Sequence, residues 1–103
     1  MANGKRQSYA KLRKSESAAL ANDLDFGDSP ATKVEVWVKS SAAATFTIYG
    51  SADADDATRW REIDQIVLTG AGEDHRGFEN AYRHVRVSTA TANDNEIEIV
   101  GAR

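Results

Sequence analysis

The segment KVEVWVK, residues 33–39, places valine at every second position between charged residues and a tryptophan. A period of two is typical of a β-strand with one buried and one exposed face, because successive side chains point to opposite sides of the sheet. The pattern therefore predicts that Val34, Val36 and Val38 are core residues. It also predicts that Trp37 points outward.

Similar extended patterns recur along the rest of the chain. They cover residues 45–49, 59–68, 81–87 and 96–100. Runs of turn-forming residues separate them, and residues 25–30 contain both a glycine and the one proline of the chain. Short strands at this spacing, with no convincing helical period, predict an all-β fold built as an antiparallel β-sandwich or jelly roll.

Details of this sandwich are predicted from single segments. The short connection at residues 40–44 predicts that the strands on either side of it are antiparallel neighbours. The three glycines within residues 69–77 predict a loop. Alternation is lost at residues 66–68, which predicts a bulge or bend, and Trp60 is expected in the core.

Length and composition limit the classes of protein that remain. A chain of 103 residues is sufficient for one hydrophobic core. The absence of cysteine excludes disulfide scaffolds, thiolate zinc sites and cysteine nucleophiles. No stretch approaches the roughly 20 apolar residues of a membrane span, and no secretion signal is predicted. Abundant Asp and Ala, with no lysine after Lys39, indicate a halophilic or high-GC source.

Charge is distributed unevenly along the chain. Residues 1–14 carry five basic residues and no acidic one, whereas the remainder carries a net charge of −8. The apolar residues of this first part follow neither a helical nor a strand period. We therefore predict a basic N-terminal arm at residues 1–21 and a sandwich domain at residues 22–103. Such an arm neutralises phosphate or an acidic protein, or remains a solvated tail.

Several motifs occur in a fixed order: LDFG (24–27) with VEV (34–36), FTIYGS (46–51) followed by Asp53 and Trp60, AYRHVRV (81–87), and EIEI (96–99). Together they resemble the discoidin, or coagulation factor 5/8 C-terminal type, jelly roll over about residues 22–103. The resemblance implies that Trp60 packs in the core. The long loops through which that family binds sugars or phospholipid are replaced by the short basic arm. In this reduced form the chain resembles small β-sandwich virion proteins of tailed viruses.

Candidate chemical sites are few. Asp53, Asp55 and Asp56 share one loop, but the glycine and glutamate of an EF-hand are missing, so a solvated acidic turn is predicted. His75 and His84 have no plausible third ligand, and no Gly-x-Ser-x-Gly motif is present. We therefore expect no metal site, no cofactor and no catalytic activity.

The sequence thus predicts a non-enzymatic structural protein of a virus particle, in the form of a capsid decoration, turret or tail component. Its expected partners are other virion proteins and further copies of itself, and its expected location is the virion, after assembly in the host cytoplasm. Two alternatives remain open, a discoidin-type carbohydrate-binding or adhesion module and an accessory protein that contacts nucleic acid. The predicted partner-binding residues are Lys5, Arg6, Tyr9, Lys11, Leu12, Arg13, Lys14 and Trp37.

Overall fold

The computed structural model describes residues 9–17 (backbone only), 20–26, 32–52 and 59–102, and these residues form eight β-strands. The strands are β1 (Tyr9–Ser17), β2 (Leu20–Asp25), β3 (Lys33–Ser40), β4 (Ala44–Ser51), β5 (Arg61–Leu68), β6 (Gly72–Glu79), β7 (His84–Thr89) and β8 (Asp94–Ala102).

The strands form two four-stranded sheets in which every pairing is antiparallel. The order is β1-β8-β3-β6 in sheet A and β2-β7-β4-β5 in sheet B. Apart from the step from β4 to β5, each connection carries the chain from one sheet to the other. Eight antiparallel strands in this order are a jelly roll. The predicted all-β sandwich is therefore confirmed.

The core lies between the two sheets and follows the alternation of the sequence. On the inner face of sheet A, valines 34, 36 and 38 of β3 lie beside Ile97 and Ile99 of β8. Sheet B contributes Phe46, Ile48, Ile66, Val85 and Val87, each fully buried. Burial of an aliphatic or aromatic side chain of this size contributes about 1.5–3 kcal/mol. This inner layer is the main source of stability for a domain without disulfides.

The predicted N-terminal arm requires a correction. Tyr9–Ser17 pairs with β8 along its whole length, from Tyr9 opposite Ala102 to Ser17 opposite Asp94. The boundary predicted between residues 21 and 22 falls inside β2, which pairs with β7. Main-chain hydrogen bonds need no side-chain period, so an edge strand forms where the side chains show no clear pattern. Residues 1–8 of the predicted arm lie outside the described residues.

Two connections also differ from the prediction. β3 and β4 are not neighbours in one sheet, because residues 41–43 cross from sheet A to sheet B and let each strand bury its apolar face against the other sheet. The predicted loop at residues 69–77 contains most of β6, an edge strand paired with β3. Its inward positions include Asp74 and Arg76, so the sequence shows no apolar alternation there.

Trp60 is not a core residue. It precedes β5 and lies against the outer side of sheet B, where the guanidinium of Arg86 is 4.2 Å from the centre of its ring. Its position there is explained by the cation–π contact and by the edge-on contact with His84. The bulge predicted at residues 66–68 is wrong in position, because these residues pair with β4 in continuous register; the β4–β5 pairing shifts instead near Ile63.

Buried polar side chains join the connections at one end of the sandwich. Ser40 donates a hydrogen bond of 2.8 Å to the Asn95 side chain, whose amide donates to the carbonyl of Thr91 at 2.8 Å. Asn93 donates to Ser40 at 3.0 Å and to the carbonyl of Ala43 at 3.0 Å. These bonds satisfy groups that burial would otherwise leave unpaired, and they fix the 41–43 crossing against the turn before β8.

Truncation distinguishes the edge strand from the residues that precede it. A chain without residues 1–8 keeps all eight strands, so we expect its melting temperature to change by less than about 3 °C. A chain without residues 1–17 exposes one complete edge of β8 and should lose most of its stability. Thermal unfolding followed by circular dichroism measures both. Equal stability of the two truncated chains would contradict the pairing of β1 with β8.

Gly50 allows a close approach that a side chain would block. A Cβ atom at this position would overlap the ring of Tyr82. Gly50→Ala should therefore lower the free energy of unfolding by about 1–3 kcal/mol, as other overpacking substitutions do. Gly70→Ala is the matched control, because a Cβ there has no neighbour within 4 Å. Chemical denaturation should show a clearly larger loss for the first variant; equal losses would contradict the Tyr82 contact.

Candidate functional site on the outer face of sheet A

The outer face of sheet A displays the residues that alternate with the core residues of β3, β6 and β8. We call this surface the acidic face, because it carries five glutamates and two lysines. Its members are Lys33, Glu35, Trp37, Lys39, Glu73, His75, Gly77, Glu79, Glu96, Glu98 and Val100. A surface with this excess of carboxylates attracts cations, and salt screens that attraction.

Trp37 stands at the centre of the acidic face. It is the register partner of His75, and the two rings are stacked with their centres 4.3 Å apart and their planes inclined by 22°. The indole Nε1 donates a hydrogen bond of 2.7 Å to Glu35 Oε1. The ring is therefore held in a defined orientation, although 39% of Trp37 is exposed. Rigid, accessible tryptophans of this kind are common anchors in binding surfaces.

Two open depressions lie on the acidic face, and this tryptophan lines the smaller one. The smaller one, of about 130 Å³, is lined by Trp37, Lys39, Glu73, Glu96 and Glu98.

The larger depression, of about 520 Å³, lies where Gly77 has no side chain to fill the space beside Glu35. Its lining combines charged groups with apolar ones, the latter including Phe78 and Val100. Both depressions are open surface features, suited to receiving side chains or sugar rings from outside.

The outer face of sheet B carries a different cluster, in which the charges are paired. Arg86 donates hydrogen bonds of 2.7 and 3.1 Å to the two carboxylate oxygens of Asp23 and lies over Trp60. The hydrogen bond to Asp23 raises the pKa of Arg86, while partial burial opposes this effect. Arg83 donates to Asp25 at 3.2 Å. The cluster joins β2 and Trp60 to β7, which indicates a structural role.

The structure brings most of the predicted binding residues into one sheet. Lys5 and Arg6 lie outside the described residues. The other five predicted residues of the N-terminal part are in β1, and among them Arg13 is the register partner of Glu98, which in turn pairs with Trp37 on β3. The outward orientation of Trp37 is confirmed. The partner-binding role of all eight residues stays a prediction.

The glutamates and His75 were not predicted as part of this surface. The alternation of Glu96 and Glu98 with Ile97 and Ile99 is visible in the sequence. That alternation does not show which strand pairs with β8, so the sequence could not place these glutamates beside Trp37. His75 was missed because its segment was interpreted as a loop, so nothing placed its ring beside Trp37.

The described residues show neither a metal-binding cluster nor a membrane-spanning helix. Among them no group of three or more His, Asp or Glu side chains is arranged to hold a metal ion. Asp53, Asp55 and Asp56 lie outside the described part of the chain. Within that part, no helix has the length and apolar character needed to cross a bilayer.

Comparison with known proteins identifies the fold alone. No protein-family model matches the sequence, and no curated protein matches it either. The discoidin resemblance therefore stays a prediction. Among solved structures, the chain is similar to the SPBc2 prophage-derived protein YomS, with a TM-score of 0.70, 9% identity and coverage of 100% of both chains.

Two further structures share the fold. The PBSX exported protein XepA is similar with a TM-score of 0.62 and 12% identity, over 92% of this chain and 36% of that protein. A mutant of the family 29 carbohydrate-binding module CBM29-2 is similar with a TM-score of 0.53 and 12% identity, over 94% and 92% of the two chains. A similar fold is thus found in a prophage-derived protein and in a carbohydrate-binding module.

The two aromatic side chains Trp37 and Phe46 should contribute very differently to stability. Trp37→Ala removes a partly exposed ring, so we expect a loss of about 1 kcal/mol or less in the free energy of unfolding. Phe46→Ala creates a cavity in the core and should cost about 3–5 kcal/mol. Urea denaturation of both variants tests this difference. A loss above about 3 kcal/mol for Trp37→Ala would show that the ring is needed for folding and is not available as a binding anchor.

Proposed function

We propose that this protein is a non-enzymatic structural component of a tailed-virus particle, present as a capsid decoration, turret or tail fitting. The observation that carries the proposal is the similarity to a prophage-derived protein over the full length of both chains. A structural component functions through its shape and surface. A fold match that covers both chains completely therefore supports a structural role.

The surface supports a binding role. Trp37 is fixed by Glu35 and His75 and yet remains exposed, which is an arrangement that folding alone does not require. Its surroundings are an open sheet face, whereas enzymes usually enclose their reacting groups in a deep, mostly apolar pocket. We therefore assign the acidic face to contacts with other macromolecules of the particle, including further copies of this chain, and locate the protein in the virion.

A carbohydrate-binding module is the second candidate. The exposed indole ring can stack on the apolar face of a sugar, and the neighbouring carboxylates and lysines can bond to hydroxyl groups. The similarity in fold to CBM29-2 favours this alternative. Glycan-array screening of wild type and Trp37→Ala tests it. Binding that the substitution abolishes would support this alternative, and an empty array would leave assembly as the function.

Particle composition tests the proposed function directly. Virus particles purified by density gradient should contain this protein in a constant ratio to the major capsid protein, because a structural component has a fixed number of sites. Immunoblotting of the gradient fractions and gold labelling in electron micrographs provide the measurement. The control is a lysate that lacks the major capsid protein. In that lysate this protein should be absent from the dense fractions. Absence from intact particles would contradict the proposal.

A further inference from the structure

The acidic face and the basic N-terminal segment are complementary parts of the same chain. We propose that the acidic face of one copy binds residues 1–8 of a neighbouring copy, with Lys5 or Arg6 beside Trp37. This inference rests on the proposed function and specifies one contact within the particle. The partner is thus a second copy of this chain.

The charges favour this occupant. Residues 1–8 contain Lys5 and Arg6 and no acidic residue, whereas the acidic face carries five glutamates against two lysines. β1 adds Lys11 and Arg13 at the register positions beside Val100 and Glu98, so the carboxylates furthest from these basic residues are those of β6, at the opposite edge of the sheet. Attraction between such surfaces both speeds association and selects the partner. Glu96 and Glu98 already interact within the chain. The charges to be tested are therefore Glu73 and Glu79, which lie on the edge strand β6.

The same chain provides an example of the expected contact. On sheet B, Arg86 lies 4.2 Å from the ring centre of Trp60 while it bonds to the carboxylate of Asp23. Trp37 offers a comparable pair of groups, an accessible indole ring with carboxylates beside it. Cation–π contacts combined with a carboxylate are a favourable setting for a guanidinium or ammonium group.

Strand direction favours a neighbouring copy over the same copy. β1 enters sheet A at Tyr9, opposite Ala102, at the end of the sheet where Lys33 and Glu79 also lie. Trp37 lies four residues further along β3 than Lys33, on the same face. β1 runs from this end of the sheet toward the row of Trp37, so a contact between residues 1–8 and Trp37 of the same copy would require the chain to reverse its direction before Tyr9. A contact in which the segment of one copy meets the face of the next is heterologous, and it builds rings or filaments.

Charge exchange tests this contact in the full-length protein. We expect wild type to self-associate in about 0.05 M salt and to dissociate at least tenfold more readily in about 0.5 M salt. K5E/R6E and E73K/E79K should each weaken self-association at least about tenfold, because each removes attraction and adds repulsion. Their combination has the net charge of wild type and should restore it. Sedimentation velocity measures the association constants.

Controls separate the contact from general effects of charge. Glu62→Lys changes an exposed carboxylate on sheet B and should leave self-association within about twofold of wild type. A wild type that remains monomeric at both salt concentrations would overturn the inference. Self-association that is insensitive to K5E/R6E would overturn it as well.

A second measurement does not depend on the folding of charge-reversed variants. In full-length W60F, Trp37 is the one remaining tryptophan and its fluorescence reports on the acidic face. A peptide of residues 1–8 should change this emission, and the peptide with both basic residues replaced by glutamate should bind at least about tenfold more weakly. Equal binding of the two peptides would overturn the inference.

Incorporation into particles separates this inference from the proposed function. If K5E/R6E enters particles at the wild-type ratio, the contact is wrong while the structural role stands. If the wild-type protein self-associates as described and is absent from particles, the contact stands while the proposed role fails.

Discussion

The pairing of β8 along both of its edges is the constraint on which the rest of the structure depends. β8 bonds to β1 on one side and to β3 on the other, and the register with β3 sets Ile97 and Ile99 beside Val38 and Val36. Asn22 of sheet B donates a hydrogen bond to the carbonyl of Ile97, which joins the two sheets across the core. Because strand side chains alternate, the register that buries the two isoleucines also places Glu96 and Glu98 on the acidic face.

The parts of the fold that the sequence predicts are those in which one face is apolar. The valines of β3 and the isoleucines of β8 alternate with charged residues, and both strands were located from that pattern. The sequence did not reveal β6, because β6 is an edge strand and its inward positions include the charged residues Asp74 and Arg76. β1 was interpreted as an arm because main-chain pairing leaves no signal in the side chains. Trp37 could be placed outward, but its stacking with His75 depends on a strand pairing that no local pattern encodes.

Charged groups at one edge of the sandwich oppose the addition of a further strand there. At the edge formed by β5 and β6, Arg76 lies 3.4 Å from Asp64 and 3.6 Å from Asp74. Charged side chains at inward positions of edge strands oppose the addition of another strand, because pairing would bury them. The faces are not protected in this way. The two outer faces differ in the exposure of their tryptophans. Trp60 on sheet B is covered by an arginine of its own chain, whereas Trp37 on sheet A remains accessible.

The strength of a charged contact also bears on where such a contact is useful. Each exposed ion pair contributes about 0.2–1 kcal/mol, so a contact that uses two basic residues depends on protein concentration in solution and forms there mainly at low salt. On a particle, neighbouring copies are held close together, and a high effective concentration makes weak contacts persist. A rigid tryptophan adds directional preference to this attraction at little entropic cost, because Glu35 and His75 already fix its ring. The proposed arrangement in many copies on a particle would therefore favour a contact of this kind.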